Sequence, residues 1–439
     1  MSFITDKQTL EDLNLPGKFR QHSIYSLFNK VKTAGGERLL DEMFHRPMTD
    51  PVAINKRSNV FRYFQEKKLS FPFRRERFHL VESYLGADGA GNRLAATAGM
   101  LRRKMMGSFL RDGQYNHIRA GLAATIEALN DVKTLVGRLD ITLVQQAKDL
   151  LSDSRLSWLA EERGAQKWPV IKMAKYDHLL RHTLRDEMEM LLDIIYQLDV
   201  HIAVSDVARE RGFTYAHALP AGGHVFRADA LRHPGLDRAV ANSLSLDREN
   251  NMLFLTGANM AGKSTFMKSF AIAVYLAHLG FPVAAGEMAF SVSDGLYTSI
   301  NVADNLNMGY SHFYAEVLRV KKVAEEVSSG KNMVVVFDEL FKGTNVKDAY
   351  DATLAVTAAF SRYRNCFFIV STHITEVGEA LRNDHTNLRF AYLPTVMDDK
   401  TPRYPYRLAE GITADRHGMT IIRNEKILDI INTQVQKTI

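Results

Sequence analysis

The sequence predicts a mixed α/β protein in which a mainly helical N-terminal region precedes a domain built on a mostly parallel sheet. Apolar side chains recur every three or four residues from about residue 23 to residue 212, which is typical of helices. Later runs are apolar without alternation, and one of them leads into a glycine-rich loop and a helix. A turn-rich break at residues 219–223 separates the two patterns, so the expected domains are residues 1–215 and 216–439.

The helical region is predicted to contain long helices. Residues 117–151 place apolar side chains along one continuous seam, and residues 182–212 repeat this arrangement. A helix of about thirty residues would extend about 45 Å, which is longer than a compact domain needs. We therefore interpret these segments as struts.

The second domain is predicted to hold a parallel sheet with helices on both faces. Its strand candidates are residues 252–256, 334–337 and 367–371, each apolar throughout. Strands that are buried on both faces have this composition, because neither side meets water. A doubly covered sheet is therefore expected.

The loop at residues 256–265 has the spacing of a phosphate-binding loop, G-x-x-x-x-G-K-[S/T], between a strand and a helix. Its glycines let backbone N–H groups wrap a polyphosphate at a helix N-terminus. Lys263 is expected to reach the β- and γ-phosphates, and Ser264 to ligate Mg²⁺. The expected nucleotide contacts are Gly257, Ala258, Asn259, Met260, Ala261, Gly262, Lys263, Ser264 and Thr265.

Two adjacent carboxylates, Asp338 and Glu339, follow the second apolar strand. At the carboxyl edge of a parallel sheet they would emerge beside the phosphate-binding loop. Asp338 can hold Mg²⁺ through water, and Glu339 can polarise the water that attacks the γ-phosphorus. These residues favour hydrolysis of a nucleoside triphosphate over binding alone.

Two further polar residues are candidates for the same site. His373 follows the third strand, where it could sense the γ-phosphate or orient the attacking water, or could instead cap the next helix. Ser311 opens a predicted helix that continues to Val327, and it is either a phosphate contact or an ordinary N-cap.

The positive charge of the chain is concentrated in its N-terminal half. The net charge is +6, and residues 51–120 alone carry 14 basic and 5 acidic side chains with aromatic residues interleaved. Such a surface attracts phosphate backbones. The alternative is a solvated basic face with no polyanionic partner.

The composition of the chain also limits the cellular compartments in which it is expected. The single cysteine, Cys366, excludes an intramolecular disulfide and fits a reducing compartment. No secretory signal is recognised, and the longest apolar region, residues 266–285, contains Lys268 and His278. We therefore expect a cytoplasmic protein without membrane spans.

Taken together, these motifs resemble the MutS family of DNA mismatch-repair ATPases. Residues 256–265 read T-G-A-N-M-A-G-K-S-T against the family form T-G-P-N-M-G-G-K-S-T. Residues 338–344 resemble the family's D-E-x-x-x-G-T, and residues 372–373 its T-H switch. The sequence also resembles the family pattern at His233-Pro234, at residues 242–244 and in residues 26–57. The resemblance implies an ABC-type P-loop ATPase domain preceded by a helical core and lever domain.

The resemblance also implies an assembly and partners. Ser311 would approach nucleotide bound by the partner subunit, which implies a homodimer with composite sites that use ATP and Mg²⁺. Double-stranded DNA, mismatched or branched, would be the partner of the basic levers. Ala239 stands where the family has an adenine-stacking aromatic, so Tyr406 is expected to stack on the base instead.

The chain also departs from the family pattern. Lever-like sequence begins near residue 20, so we expect a short form with lever and ATPase domains only, whose DNA clamp is reduced or absent. The working hypothesis is an ATP-dependent DNA-binding protein related to mismatch repair or recombination. The alternatives are a factor for branched DNA or stalled ribosomes, and a nucleotide-gated scaffold that grips another protein.

Overall fold

The computed structural model describes residues 2–15, 22–87, 97–100, 113–165, 167–258, 260–300, 312–398, 401–413, 427, 430 and 431. Helices account for much of this part of the chain. Their bounds are α1 Lys7–Asp12, α2 Ile24–Phe28, α3 Ala34–Phe44, α4 Pro51–Lys67, α5 Arg75–Leu85, α6 Gly113–Gly137, α7 Gln145–Leu151, α8 Val170–His178, α9 Arg185–Arg211, α10 Lys263–His278, α11 His312–Ser328, α12 Val346–Ser361 and α13 Thr375–Asp384.

Strands occur after residue 213, as the sequence pattern predicts. Their bounds are β1 Thr214–Tyr215, β2 His217–Leu219, β3 Phe226–Leu231, β4 Asn242–Leu246, β5 Met252–Gly257, β6 Pro282–Val283, β7 Glu287–Ser291, β8 Gly295–Ser299, β9 Met333–Asp338, β10 Phe367–Ser371, β11 Leu388–Leu393, β12 Val396–Asp398, β13 Thr401–Arg403 and β14 Ala409–Glu410. The mixed α/β prediction is confirmed.

The largest sheet has the strand order β14-β11-β5-β10-β9-β8. Its neighbours pair in parallel except β14, which runs antiparallel to β11. The three apolar runs of the sequence are β5, β10 and β9, side by side, and every residue of these strands is buried. The carboxyl ends of the three strands therefore share one edge.

Helices cover this sheet. Apolar side chains of α11, α12 and α13, among them Val323, Phe360 and Val377, form one buried cluster with Phe254 and Val335. Helix α10 contacts β5, β8 and β9. Because side chains alternate across a strand, burial of every residue requires cover on both faces.

A second, four-stranded sheet has the order β2-β7-β3-β4. Strand β3 is antiparallel to both β4 and β7, and β2 is parallel to β7. The connection from Leu231, the last residue of β3, to Asn242, the first residue of β4, contributes to the candidate site described below.

The chain divides into two compact units, each continuous in space but not in sequence. One comprises Met1–Phe28, Phe44–Tyr63 and Val207–Ile439, and the other comprises Asn29–Met43 and Phe64–Asp206. This division differs from the predicted one at residue 215, because two N-terminal segments group with the sheets. Helical periodicity cannot reveal such grouping, since it depends on contacts between residues that are far apart in sequence.

The N-terminal segment is held against the edge of the large sheet and against α11. Ile4 forms a parallel bridge to Gly295, and the Thr298 hydroxyl donates to the Asp12 carboxylate at 2.7 Å. The buried guanidinium of Arg319 on α11 pairs with Asp6, whose other oxygen accepts from the Thr9 N–H at 3.0 Å. These contacts explain why residues near the N-terminus belong to the unit that contains the sheets.

We expect Asp6→Asn to lower the free energy of unfolding at pH 7 by about 1–3 kcal/mol, because it weakens charged hydrogen bonds to the buried Arg319. Burial opposes ionisation of Asp6, but hydrogen bonds from Arg319 and Lys322 hold its pKa well below the usual range. The stabilisation is therefore present above about pH 4 and is lost as the pH falls below that value.

Urea unfolding of Asp6→Asn and the native chain, measured from pH 7 to pH 3, checks this expectation. The difference in the free energy of unfolding between Asp6→Asn and the native chain should become smaller as the pH falls. Glu11→Gln, in an exposed pair with Lys7, is the matched control and should change stability little at any pH. A difference for Asp6→Asn that does not depend on pH would contradict the assigned ion pair.

The second unit is helical, and its polar contacts hold helices that are distant in sequence. The Tyr84 hydroxyl of α5 donates to Asp177 of α8 at 2.8 Å, and Arg181 pairs with the same carboxylate at 3.1 Å. The Asp199 carboxylate of α9 accepts from the Lys32 and Thr33 N–H groups at 2.8 and 2.7 Å, just before α3. Burial raises the pKa of Asp199 to about 6.

The predicted continuous helix over residues 117–151 is wrong in one respect. Helix α6 ends at Gly137, and a short 3₁₀ turn at Thr142–Val144 precedes α7. Glycine is a weak helix former, and the Lys148 ammonium donates to the Leu139 carbonyl at 2.6 Å in the break.

The 27 residues of α9 correspond to a length of about 40 Å. Within the described residues, none of the helices has the length and apolar content needed to cross a bilayer.

Candidate functional site

The glycine-rich loop joins the end of β5 to the start of α10. Gly257 and Gly262 have φ angles of 144° and 100°, in the left-handed region that favours glycine. A Cβ at Gly257 would also lie 3.0 Å from the Leu393 carbonyl oxygen. Both glycines of the motif are therefore needed for the path of the backbone. Asn259 lies outside the described residues.

Lys263 starts α10 and turns its side chain back toward the loop. Its buried ammonium donates to the Gly257 carbonyl at 2.8 Å and to the Ala258 carbonyl at 3.3 Å. Burial lowers the pKa of Lys263, whereas the negative charges of Glu339 and Asp338 oppose that shift. The loop thus surrounds a positive group whose partners are carbonyls that an anion could replace.

Asp338, the last residue of β9, accepts two short hydrogen bonds. The Ser264 hydroxyl donates to Oδ2 and the Ser371 hydroxyl donates to Oδ1, each at 2.5 Å. Ser371 is the register partner of Asp338 in the pairing of β9 with β10. Ser371 is not among the residues predicted for the site, although its place at the end of the third apolar strand is a signal that could identify it.

Glu339 follows directly and has an unusual backbone. Its φ is 56°, rare for a residue other than glycine, and its N–H donates to the Ser371 carbonyl at 3.0 Å. The carboxylate contacts Nε2 of His373. That hydrogen bond lowers the pKa of Glu339, although burial opposes the shift, and the charge of Lys263 adds to the lowering. Glu339 is therefore held as an ionised carboxylate.

These groups border a cavity of about 500 Å³. Its lining combines the loop and α10, the connection between β3 and β4, and single residues from elsewhere. The lining residues are Leu231, His233, Leu236, Arg238, Ala239, Val240, Asn242, Ala258, Met260, Gly262, Lys263, Ser264, Thr265, Phe266, Ser269, Glu339 and Tyr406.

The structure brings most of the predicted site residues to this cavity. Asp338 and His373 do not line it, but each contacts a lining residue, Ser264 and Glu339 respectively. Gly257 and Ala261 do not line it either and shape the loop. Ser311, like Asn259, falls outside the described residues.

Tyr406 is held beside the phosphate-binding loop by Asn242. The Asn242 side chain donates to the Tyr406 carbonyl at 2.9 Å and accepts from the Leu408 N–H at 2.7 Å. A Cβ built on Gly262 would lie 3.0 Å from the Tyr406 ring, so the ring and the loop are close neighbours. Ala239 contributes to the lining of the same cavity without an aromatic ring.

The donor set suits a hard cation that keeps some of its own ligands. The Ser264 hydroxyl and the Asp338 carboxylate are oxygen ligands of the kind that Mg²⁺ prefers, and Mg²⁺ commonly takes its other ligands from water and phosphate. Across the described part of the chain, no cluster of three or more His, Cys, Asp or Glu side chains could form an all-protein metal cage.

Comparison with known proteins agrees with this arrangement. The family model described as MutS domain III matches residues 8–210, and the one described as MutS domain V matches residues 253–438. The chain belongs to the MutS family. The MutS domain V match contains the loop, both carboxylates and His373, and the MutS domain III match covers most of the helical part.

Individual MutS relatives are similar over parts of the chain. The DNA mismatch repair protein MutS of Thermus thermophilus is 35% identical over 204 residues, 45% of this chain and 24% of the relative. That of Streptococcus thermophilus is 26% identical over 260 residues, 57% of this chain and 30% of the relative. That of Leuconostoc citreum is 31% identical over 219 residues, 48% of this chain and 25% of the relative. Each match thus spans less than a third of the relative.

Proposed function

We propose that the chain binds and hydrolyses ATP in this cavity as a P-loop ATPase of the ABC type. One observation carries the proposal: the Ser264 hydroxyl and the Asp338 carboxylate are 2.5 Å apart, with Lys263 and Glu339 beside them. The parallel order of β11, β5, β10, β9 and β8 supports the fold assignment, because the loop and both carboxylates meet at one sheet edge.

The side chains have separable tasks in this reaction. Lys263 would exchange the Gly257 and Ala258 carbonyls for phosphate oxygens. Ser264 and Asp338 would hold Mg²⁺, which neutralises phosphate charge when bound. Glu339 would accept a proton from the attacking water, and His373 would keep the carboxylate oriented. Tyr406, held by Asn242, would stack on the base, where Ala239 offers no ring.

The direct test is phosphate release from ATP by the purified chain, with Mg²⁺ and with excess chelator. Turnover that depends on Mg²⁺ supports the assignment. Absence of both ATP binding and turnover, with and without DNA, would overturn it.

We further propose that the chain works as a homodimer in which Ser311 completes the partner's site, so that ATP binding and dimerisation are linked. The exposure of Met260 supports this reading. Met260 lines the cavity and is 76% exposed, so a second copy that packs over the site would bury it.

The proposed partner of the second unit is double-stranded DNA, mismatched or branched, with lever movement coupled to ATP. Lys67, Lys68, Arg74, Arg75 and Arg77 are all exposed on this unit. The relatives named DNA mismatch repair proteins support a DNA partner. A DNA-repair role also fits the cytoplasmic location, which stays a prediction.

We expect DNA binding to weaken steeply with salt and the double variant Lys67→Ala/Lys68→Ala to flatten that dependence. Two lost phosphate contacts would reduce the slope of log K against log salt by about 1.8. Fluorescence anisotropy with homoduplex, mismatched and branched DNA at several salt concentrations measures this slope.

The matched control removes two exposed lysines elsewhere, in Lys7→Ala/Lys321→Ala, and should leave the slope unchanged. Tighter binding to branched than to mismatched DNA would favour a factor for branched DNA over a role in mismatch repair. Absence of salt-sensitive binding by the native chain would instead favour a scaffold that grips another protein.

A further inference from the structure

One histidine in the cavity has no task in the ATPase mechanism above. His233 lies in the connection between β3 and β4 and lines the nucleotide cavity. It also lines a neighbouring polar cavity of about 430 Å³ together with Arg211, Arg232 and Asp237. His233 therefore contributes to the lining of both cavities.

The local sequence fixes the ring of His233. His233 to Leu236 form a turn in which the Leu236 N–H donates to the His233 carbonyl at 3.3 Å. Pro234 occupies the second position of the turn, where its fixed φ is favoured. The N–H of Gly235 then donates to Nδ1 of the His233 ring at 3.2 Å. The backbone thus holds the imidazole through one of its two nitrogens.

This hydrogen bond determines which nitrogen carries the proton. An Nδ1 that accepts an N–H has no proton of its own, so the neutral ring carries its proton on Nε2. Burial and the nearby charge of Lys268 both lower the pKa of His233, which keeps the ring neutral. Within the described residues, Nε2 has no hydrogen-bond partner. His233 therefore offers one N–H donor that the protein itself does not use.

The position of this donor indicates which part of a nucleotide it would meet. Lys263, Ser264 and Glu339 supply the charged groups for the phosphates. The connection that contains His233 ends at Asn242, which binds the backbone of Tyr406. Leu231, Ala239 and Val240 of the same stretch contribute apolar lining. His233, Arg238 and Asn242 are the polar lining residues of this stretch, and a mostly apolar wall with a few polar groups is suited to a nucleoside.

We propose that His233 donates a hydrogen bond from Nε2 to an acceptor on the nucleoside part of the bound nucleotide. The acceptor is a ribose oxygen or a purine ring nitrogen, and both have the same hydrogen-bonding chemistry. The inference rests on the proposed ATP binding and adds a residue that discriminates between nucleotides. The turn at Pro234 and Gly235 makes this donor rigid before the ligand arrives.

The test compares two substitutions that treat the donor differently. His233→Phe keeps a flat ring and removes the donor, whereas His233→Gln retains an amide N–H at a similar reach. We expect His233→Phe to raise the Kd for ATP about tenfold, the effect of one hydrogen bond. The Kd of His233→Gln for ATP should stay within about threefold of the native Kd, because the amide can still donate a hydrogen bond. The Kd for inorganic tripolyphosphate should be unchanged in both variants, because that ligand has no nucleoside.

Analogues then distinguish the two acceptors. We measure the Kd values of 2′-deoxy-ATP, 3′-deoxy-ATP, 3-deaza-ATP and 7-deaza-ATP for the native chain and for His233→Phe. The analogue that lacks the true acceptor should bind the two proteins equally, because the hydrogen bond is absent from both complexes. Thermal unfolding of each variant without nucleotide shows whether the turn remains folded.

The outcomes separate this inference from the proposed function. ATP binding by His233→Phe within twofold of the native chain would overturn the role of His233 and leave the ATPase proposal standing. Equal loss of ATP and tripolyphosphate binding would also overturn it, because the damage would then lie in the phosphate-binding loop. If the native chain binds tripolyphosphate and ATP equally well, the nucleoside adds nothing to binding and the role of His233 fails, whereas the ATPase proposal fails only if ATP binding and turnover are both absent.

Discussion

Replacement of Glu339 by glutamine is expected to lower kcat for ATP hydrolysis about 100- to 10,000-fold, the usual contribution of a general base. The glutamine has the same shape, so the hydrogen bond from the Glu339 N–H to the Ser371 carbonyl should persist. It cannot accept the proton of the attacking water. Because the hydrogen bond from His373 lowers the pKa of Glu339, the native carboxylate is ionised at neutral pH and ready for this role.

ATP affinity should not fall in Glu339→Gln, because removing a carboxylate reduces repulsion of the triphosphate. Isothermal titration gives Kd, and phosphate release under single-turnover conditions gives the rate of the chemical step. Glu379→Gln, an exposed residue on α13, is the matched control and should retain native turnover. Native turnover in Glu339→Gln would assign the base elsewhere, whereas a large rise in Kd would show that Glu339 organises the binding site.

Much of this site could be predicted from the sequence, because its chemistry depends on short motifs. The spacing of Gly257, Gly262 and Lys263 is meaningful only between a strand and a helix, and both neighbours have strong local patterns. Asp338 and Glu339 follow an apolar strand, and parallel strands present their carboxyl ends together. Local pattern and sheet geometry thus predict the proximity of Lys263, Ser264 and Glu339 that the structure shows.

The other features of the fold and of the site depend on contacts between residues that are far apart in sequence, which a local sequence pattern does not encode. Ser371 bonds to Asp338 because β9 and β10 pair in one particular register, which is set by packing of the whole sheet. The N-terminal segment joins the large sheet through Ile4 and Gly295, residues about 290 positions apart. His233 belongs to a family-like stretch, but it lines the cavity as part of the connection between the paired strands β3 and β4 of the second sheet. Each depends on tertiary pairing rather than on local preference.

Substitution of Lys263 by methionine is expected to raise the Kd for ATP about 10- to 100-fold, because charged hydrogen bonds to phosphate are lost. Among the described residues, the hydrogen-bond acceptors of the buried Lys263 ammonium are the Gly257 and Ala258 carbonyls, which phosphate oxygens would replace when a triphosphate binds. Methionine fills a similar volume without the charge. The rate of ATP hydrolysis should fall at least as far as ATP affinity, since Lys263 is expected to contact the β- and γ-phosphates.

The thermal stability of the nucleotide-free protein should not fall with ATP affinity in Lys263→Met. This difference separates a loss of ligand binding from a loss of folding. Burial lowers the pKa of Lys263, which means that folding disfavours its charged form. Removing that charge should leave the thermal midpoint of the nucleotide-free protein unchanged or slightly higher. Lys268→Met, on the same helix, should keep ATP affinity within about threefold, since Lys268 is not a lining residue. A lower midpoint in Lys263→Met without loss of ATP binding would instead make Lys263 a structural support of the loop, and the nucleotide would need another cation.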